Sequence, residues 1–114
     1  MERFKYALHG IAHVFKNEQN FKIHFLTAIF VIAASIFFKI DQTEWLIIII
    51  AITSVITLEL LNSAVEYVCN FVSPEYHEKI KIIKDASAGA VLITAIGALI
   101  MGLVIFLPKV ILLF

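Results

Sequence analysis

The sequence predicts an all-α integral membrane protein in which an N-terminal amphipathic surface helix is followed by three transmembrane helices. Hydrophobic residues make up 61% of the chain and charged residues only 16%, whereas globular domains are nearer half apolar and a quarter charged. The apolar residues are concentrated in three runs that are each long enough to cross a bilayer. A soluble domain of 114 residues would have too little interior to bury so many apolar side chains.

Residues 1–20 are predicted to form the amphipathic helix. Its apolar residues follow the spacing of one helical stripe, and its basic residues lie mostly off that stripe. The stripe consists of Phe4, Leu8, Ile11 and Phe15, and the other face carries Arg3, Lys5, His9, His13 and Lys16. This pattern is typical of a helix in the cytoplasmic interface of a membrane. An ordinary helix packed on other subunits has the same pattern, so both interpretations stay open.

The first span is predicted over residues 21–38. These 18 residues are at the short end of what crosses a hydrocarbon core of about 30 Å. Lys22 and His24 lie at its start, where a long side chain can reach the interface. A short polar turn from Lys39 to Glu44 follows it.

The second span is predicted over residues 45–72 and the third over residues 86–107. Residues 45–72 are too many to lie wholly in lipid, so the last two turns should extend into the cytoplasm. Between the spans lies a polar cytoplasmic segment, residues 73–85. Ser73 is expected to cap a new helix with Pro74 at its first position. Residues 108–114 are expected to form a C-terminal tail.

The distribution of lysine and arginine predicts the orientation. The N-terminus and the 73–85 segment carry most of these residues and should therefore be cytoplasmic. They hold Arg3, Lys5, Lys16, Lys22, Lys79, Lys81 and Lys84, whereas the opposite side holds Lys39 and Lys109.

Polar residues form one stripe along the second half of the second span, since helical residues seven apart lie on nearly the same face. We call it the acidic stripe: it comprises Glu59, Asn62, Ser63, Glu66 and Asn70. Counted from Trp45, Glu59 lies ~21 Å and Glu66 ~32 Å along the helix. Glu66 should therefore be at the cytoplasmic surface, and Glu59 at the depth where lipid headgroups give way to chains.

Charged side chains inside a membrane are costly and are candidates for function. Glu66 could hold a cation and a polar substrate, and Glu59 could take a proton from a lipid-borne group. The structural alternative is a polar seam between helices, in which Asn62 and Ser63 provide hydrogen bonds. Two carboxylates are more than such a seam needs.

Two further features lie near the same membrane level. Glu18, just before the first span, could join Glu66 in a Mg²⁺ site, because Mg²⁺ takes one or two protein carboxylates and completes its shell with phosphate and water. Lys84 and Asp85 end the cytoplasmic segment, and the lysine could contact phosphate. The alternatives are a solvated charge for Glu18 and a positive-inside anchor for Lys84.

Composition and absent motifs exclude other function classes. The formal net charge is zero, so there is no general basic field to hold nucleic acid. The sequence contains no P-loop, GxGxxG, HExxH or protein-kinase signature. The residue pattern alone leaves two possibilities for the acidic stripe: an enzyme that acts on lipid, or a non-enzymatic subunit such as a proton-conducting assembly partner.

One motif is more specific. The stretch Glu59-Leu60-Leu61-Asn62-Ser63-Ala64-Val65-Glu66 resembles the signature E-x-x-N-[ST]-A-[IV]-E of the prokaryotic diacylglycerol kinase family, which includes undecaprenol kinases. The resemblance covers nearly the whole chain. Its other matching blocks are Phe4 to Ile11, Asn17-Glu18, Pro74-Glu75-Tyr76-His77, Lys84-Asp85 and Ala88 to Val91. Asn70 departs from it, because the family often has aspartate at this position.

The resemblance implies a homotrimeric helical bundle in the bacterial inner membrane, with active sites between subunits. It implies transfer of the γ-phosphate of MgATP to a lipid hydroxyl. By position, Glu59 resembles the general base, Asn62 a polar active-site residue, and Glu18 and Glu66 the carboxylates that hold metal and ATP. The positions that resemble nucleotide contacts are Tyr6, Glu75, Tyr76, His77, Lys84 and Asp85. Undecaprenol and diacylglycerol both remain possible substrates, although the stretch from Lys84 to Lys109 is more similar to the undecaprenol kinases.

Overall fold

A computed structural model describes residues 2–114 of the chain as four helices; Met1, the first residue of the predicted surface helix, lies outside this range. The helices are α1 (Glu2–Asn17), α2 (Gln19–Phe37), α3 (Gln42–Val72) and α4 (Glu78–Leu113). Helices α2, α3 and α4 are long and apolar enough to cross a membrane. The predicted all-α class with three apolar spans is confirmed.

Helix α1 packs weakly on the rest of the chain. It touches α2 and α3 but not α4 within residues 2–114, and Val14 is its only buried residue there. The apolar side chains of Phe4, Leu8 and Ile11 are exposed. Placement of this apolar face in a membrane interface stays a prediction.

The turn between α2 and α3 is closed by hydrogen bonds at both ends. At the end of α2, the N–H groups of Lys39 and Ile40 donate to the carbonyls of Ile36 and Ser35 at 3.2 and 3.3 Å, which is the Schellman pattern. At the start of α3, Asp41 and Glu44 form a reciprocal capping box. Lys39 provides the left-handed residue that the Schellman turn requires, with a φ of 53°.

Replacing Lys39 with glycine should stabilise the folded protein by about 0.5 kcal/mol. A side chain in the left-handed region costs roughly 1–2 kcal/mol, and the greater freedom of glycine in the unfolded chain offsets part of that relief. Unfolding by denaturant in detergent micelles would measure the difference. Lys39→Ala is the matched control, since it removes the charge and keeps the strain. Equal stability of the glycine and alanine variants would contradict the prediction.

Helix α3 is the centre of the fold, and its closest partner is α4. Its buried face begins with the apolar residues Ile48, Ala51 and Val55 at helical spacing, and continues through Glu59 and Ser63. The apolar half packs into a core around Ile40, Ile48 and Ile105. One face of α3 therefore changes from apolar to polar at Glu59, and the acidic stripe is the continuation of the packing face.

Two helix ends differ from the predictions. The predicted helix start at Ser73 and Pro74 is wrong, because residues 73–77 form a bend and α4 begins at Glu78 with His77 as its N-cap. The Ser73 hydroxyl donates to the Glu75 carbonyl at 3.1 Å and stabilises the bend instead. The predicted tail from Pro108 is also wrong, since α4 continues to Leu113.

The extension of α4 beyond Pro108 is tied to the start of α3. Lys109 Nζ donates to Glu44 Oε2 at 2.8 Å, and both side chains are half-buried. Proline within a membrane helix is tolerated because neighbouring groups can compensate for the lost hydrogen bond. The ion pair therefore fixes the C-terminal end of α4 to the first turn of α3, at the end of the bundle opposite the acidic stripe.

Candidate active site

The acidic stripe is buried at its centre. Glu59 is 5% exposed and Ser63 is 2% exposed, whereas Glu66 is half-buried. The side-chain amide oxygen of Asn62, Oδ1, is buried and has no hydrogen-bond partner in the described part of the chain. A buried unpaired acceptor costs about 1–3 kcal/mol, so this oxygen is a candidate to accept a hydrogen bond from a group outside the subunit.

Helix α2 brings a histidine to the buried carboxylate. His24 Nε2 lies 3.3 Å from Glu59 Oε2, and the His24 side chain is 27% exposed. The sequence indicated only an interfacial position for His24 at the start of the first span. The structure shows that this residue faces the acidic stripe.

A second contact brings Glu18 to α3. The extended backbone of Glu18 separates α1 from α2, with φ −113° and ψ 113°. The Tyr67 hydroxyl donates to Glu18 Oε1 at 2.9 Å. Tyr67 also contacts the His13 ring edge-to-face, with ring centroids 5.9 Å apart. Tyr67, the residue that follows Glu66, thus ties the junction of α1 and α2 to α3.

The three carboxylates of Glu18, Glu59 and Glu66 are near enough for Glu59 to experience the charges of the other two. Between residues 2 and 114, no group of three or more His, Cys, Asp or Glu side chains is arranged to hold a metal by itself. Two carboxylates nevertheless suit Mg²⁺, which takes one or two from the protein and the remaining ligands from phosphate and water. Glu18 and Glu66 carry oxygen donors of this kind.

If the chain uses MgATP as the resemblance in its motif implies, replacing Tyr67 with phenylalanine should raise the KM for MgATP about threefold to fivefold and leave kcat within about twofold. The change removes one hydrogen bond to a carboxylate. Because this hydrogen bond is partly exposed to solvent, it should contribute only about 1 kcal/mol. Initial-rate kinetics over a range of MgATP concentrations would measure it. Thr53→Val is the control, because it also removes a hydroxyl from α3, where Thr53 bonds only to its own helix backbone. An unchanged KM in Tyr67→Phe would show that Glu18 does not depend on this contact.

The bend before α4 and the first turns of that helix enclose a pocket of about 300 Å³. We call it the bend pocket. Five of the predicted nucleotide contacts line it together, namely Glu75, Tyr76, His77, Lys84 and Asp85. Polar side chains in one shallow cavity at the end of the bundle are a suitable surface for a charged, water-soluble ligand.

Hydrogen bonds hold the bend pocket in place. His77 Nδ1 accepts from the Lys79 N–H at 3.1 Å and caps α4. Lys84 Nζ donates to Asn70 Oδ1 at 2.6 Å, and Lys81 pairs with Asp85 at 2.6 Å. Asn70, at a position where the resembled family often has aspartate, thus connects the pocket to the acidic stripe. An asparagine here keeps an acceptor for Lys84 but carries no charge that could balance that of the lysine.

Tyr6 is the predicted nucleotide contact that does not line the bend pocket. It is exposed on α1, and α1 makes no contact with α4 in the described part of the chain. Within one subunit, Tyr6 and the bend pocket are separate.

Comparison with known proteins supports the resemblance in the motif. The family model for prokaryotic diacylglycerol kinase matches residues 5–106. The chain is 38% identical to the undecaprenol kinase of Bacillus subtilis, over 93% of this chain and 86% of that protein. It is 42% identical to a diacylglycerol kinase of a Synechocystis species, over 92% of this chain and 61% of that protein. It is 34% identical to the diacylglycerol kinase of Haemophilus influenzae, over 90% of this chain and 87% of that protein.

Proposed function

This chain belongs to the prokaryotic diacylglycerol kinase family, and we propose that it transfers the γ-phosphate of MgATP to the hydroxyl of undecaprenol or diacylglycerol. It is an ATP-dependent lipid kinase and a multi-pass membrane protein. The observation that carries the proposal is the buried carboxylate of Glu59, on the same helix face as Glu66 and 3.3 Å from His24 Nε2.

In the proposed mechanism Glu59 is the general base. A lipid hydroxyl is confined to the membrane surface, so its base must be at the same depth. Glu59 is buried and lies about two turns from Glu66 along α3, on the side of the first turns of that helix, which suits that requirement. The carboxylate removes the hydroxyl proton as the lipid oxygen attacks the γ-phosphorus. Asn62 lies one turn away, and its buried carbonyl oxygen is available to orient the lipid hydroxyl or a neighbouring group.

Glu18 and Glu66 would hold Mg²⁺ together with the ATP phosphates. The metal, when bound, neutralises charge on the phosphates. Tyr67 orients Glu18 from α3. Among residues 2–114 no ion pair engages Glu66, so its carboxylate is free for this role. Phosphoryl transfer depends mainly on positioning and charge stabilisation, and two carboxylates on rigid helices suit both.

The bend pocket would receive the nucleotide. Glu75, Tyr76, His77, Lys84 and Asp85 all line it. Tyr6 would contact the nucleotide from a different subunit, since within one chain it is remote from α4. This separation supports the proposed homotrimer with active sites between subunits. The exposed apolar faces of α2 and α4 also suit contact with lipid or with neighbouring copies.

The orientation follows from the same proposal. ATP is a cytoplasmic substrate, so Glu66, the bend pocket and the N-terminus would face the cytoplasm of a bacterial inner membrane. The excess of lysine and arginine on that side supports this orientation.

A phosphorylation assay tests the function and identifies the lipid. Purified protein in mixed micelles would receive γ-labelled ATP and either diacylglycerol or undecaprenol in parallel. We expect labelled phospholipid from at least one of the two, with Mg²⁺ required. If no lipid alcohol becomes labelled, the proposal is wrong.

A further inference from the structure

The contact between His24 and Glu59 joins a buried acid to a more accessible imidazole. The Nε2–Oε2 distance is 3.3 Å, and the side chains are 27% and 6% exposed, respectively. Within residues 2–114, His24 is the one basic side chain at ion-pair distance from Glu59. The other charges that act on Glu59 are those of Glu66, on the same helix, and Glu18, at the junction of α1 and α2.

A buried general base must lose its proton before it can act again. The reaction forms a bond between the lipid oxygen and the γ-phosphorus and breaks the bond from that phosphorus to the bridging oxygen, which leaves with ADP. The hydroxyl proton passes to Glu59. Because Glu59 is almost inaccessible to water, and its acidic neighbours are poor proton acceptors when they hold a metal, a separate acceptor is needed in every turnover.

We propose that His24 accepts this proton from Glu59 and releases it to water. The inference rests on the proposed function, in which Glu59 is the base. His24 acts through Glu59 and does not contact the substrate, so it is a positioning and proton-accepting residue. Nε2 is the nitrogen that faces the carboxylate, and transfer requires it to be unprotonated when Glu59 is protonated. One proton then reaches water for each phosphate transferred.

The proposal predicts a particular kinetic defect. When phosphoryl transfer is measured by rapid quench, His24→Gln should complete its first turnover at a rate within about twofold of the unmodified chain. Later turnovers should slow by about 10²-fold, because proton-transfer groups contribute at least this much. The product should therefore appear as a burst of about one phospholipid per active site, followed by a slow phase.

Chemical rescue provides a second measurement, with a variant whose side chain at position 24 is smaller. His24→Ala leaves space beside Glu59, and added imidazole should restore the later turnovers in proportion to its concentration. His9→Gln is the matched control, because His9 lies exposed on α1; it should show neither the burst nor a response to imidazole. Retained ATP binding in both His24 variants would verify that they are folded.

The outcomes separate this inference from the proposed function. If the first turnover of His24→Gln slows as much as the later ones, or imidazole has no effect on His24→Ala, the proton-accepting role is wrong even though Glu59 remains the base. If Glu59→Gln retains the first turnover, then the base assignment itself fails. A burst in His24→Gln, rescue in His24→Ala and no first turnover in Glu59→Gln together support both.

Discussion

Replacing Glu59 with glutamine is expected to lower kcat about 10³-fold, which corresponds to about 4 kcal/mol of transition-state stabilisation. Glutamine has nearly the same shape as glutamate, so the packing of α3 against its neighbours should persist. It cannot accept a proton from a lipid hydroxyl, and this loss alone should account for the decrease in kcat. The KM for MgATP should change by no more than about threefold, since ATP is held by other residues in the proposed mechanism.

The measurement is phosphoryl transfer under lipid saturation, together with ATP binding by equilibrium titration. Glu44→Gln is the matched control, because it makes the same chemical change at the opposite end of the same helix, where Glu44 pairs with Lys109. That variant should keep its activity, although the lost ion pair should lower its stability. Full activity in Glu59→Gln would show that another group is the base, and loss of ATP binding would place Glu59 in the nucleotide site instead.

The sequence was sufficient to predict the three spans, because their signal is local. Long apolar runs can satisfy their backbone only as helices in a membrane, and α2, α3 and α4 follow those runs. The ends of helices were harder to predict. Pro74 favours a helix start, but Ser73 bonds to Glu75 and His77 provides the cap. Pro108 suggests a helix end, but Lys109 is held by Glu44 at the start of α3.

The candidate site was predictable only in part, for a similar reason. The acidic stripe is a periodic feature of one helix, so its spacing in the sequence indicated it. The contacts of His24 with Glu59 and of Tyr67 with Glu18 join segments that are distant in the chain. They depend on the rotation of α2 relative to α3, and periodicity contains no information about that rotation. The resemblance in the motif did not indicate them either, since neither His24 nor Tyr67 belongs to the matching blocks.

The structure also changes how the two motif glutamates are understood. In the sequence both appear as carboxylates inside a membrane helix. In the fold, Glu59 is buried against α2 and paired with a histidine, whereas Glu66 is half-buried and has no ion-pair partner in the described residues. The different surroundings suit different chemistry. A desolvated carboxylate beside a proton acceptor suits proton transfer, and a free carboxylate near a second one suits a divalent cation.

Replacing Glu66 with glutamine is therefore expected to produce a defect that depends on Mg²⁺. The amide is a weaker ligand for a hard cation than a carboxylate, so the concentration of Mg²⁺ needed for half-maximal activity should rise. At a fixed Mg²⁺ concentration of about 1 mM, kcat/KM for ATP should fall by at least about 10²-fold, the usual cost of removing one electrostatic group from a phosphoryl-transfer site. Additional Mg²⁺ should recover part of the activity.

The dependence on Mg²⁺ distinguishes the two carboxylates, since excess metal cannot restore a missing base. Activity would be titrated with Mg²⁺ in Glu66→Gln, Glu18→Gln and Glu59→Gln under the same lipid and ATP concentrations. Glu78→Gln is the control, because Glu78 lies exposed in the first turn of α4 and forms no ion pair within the described residues. Glu66 and Glu18 variants that respond to Mg²⁺, beside a Glu59 variant that does not, would support a two-carboxylate metal site. If Glu66→Gln is as insensitive to Mg²⁺ as Glu59→Gln, Glu66 is not a metal ligand, and its free carboxylate must contact the substrates directly.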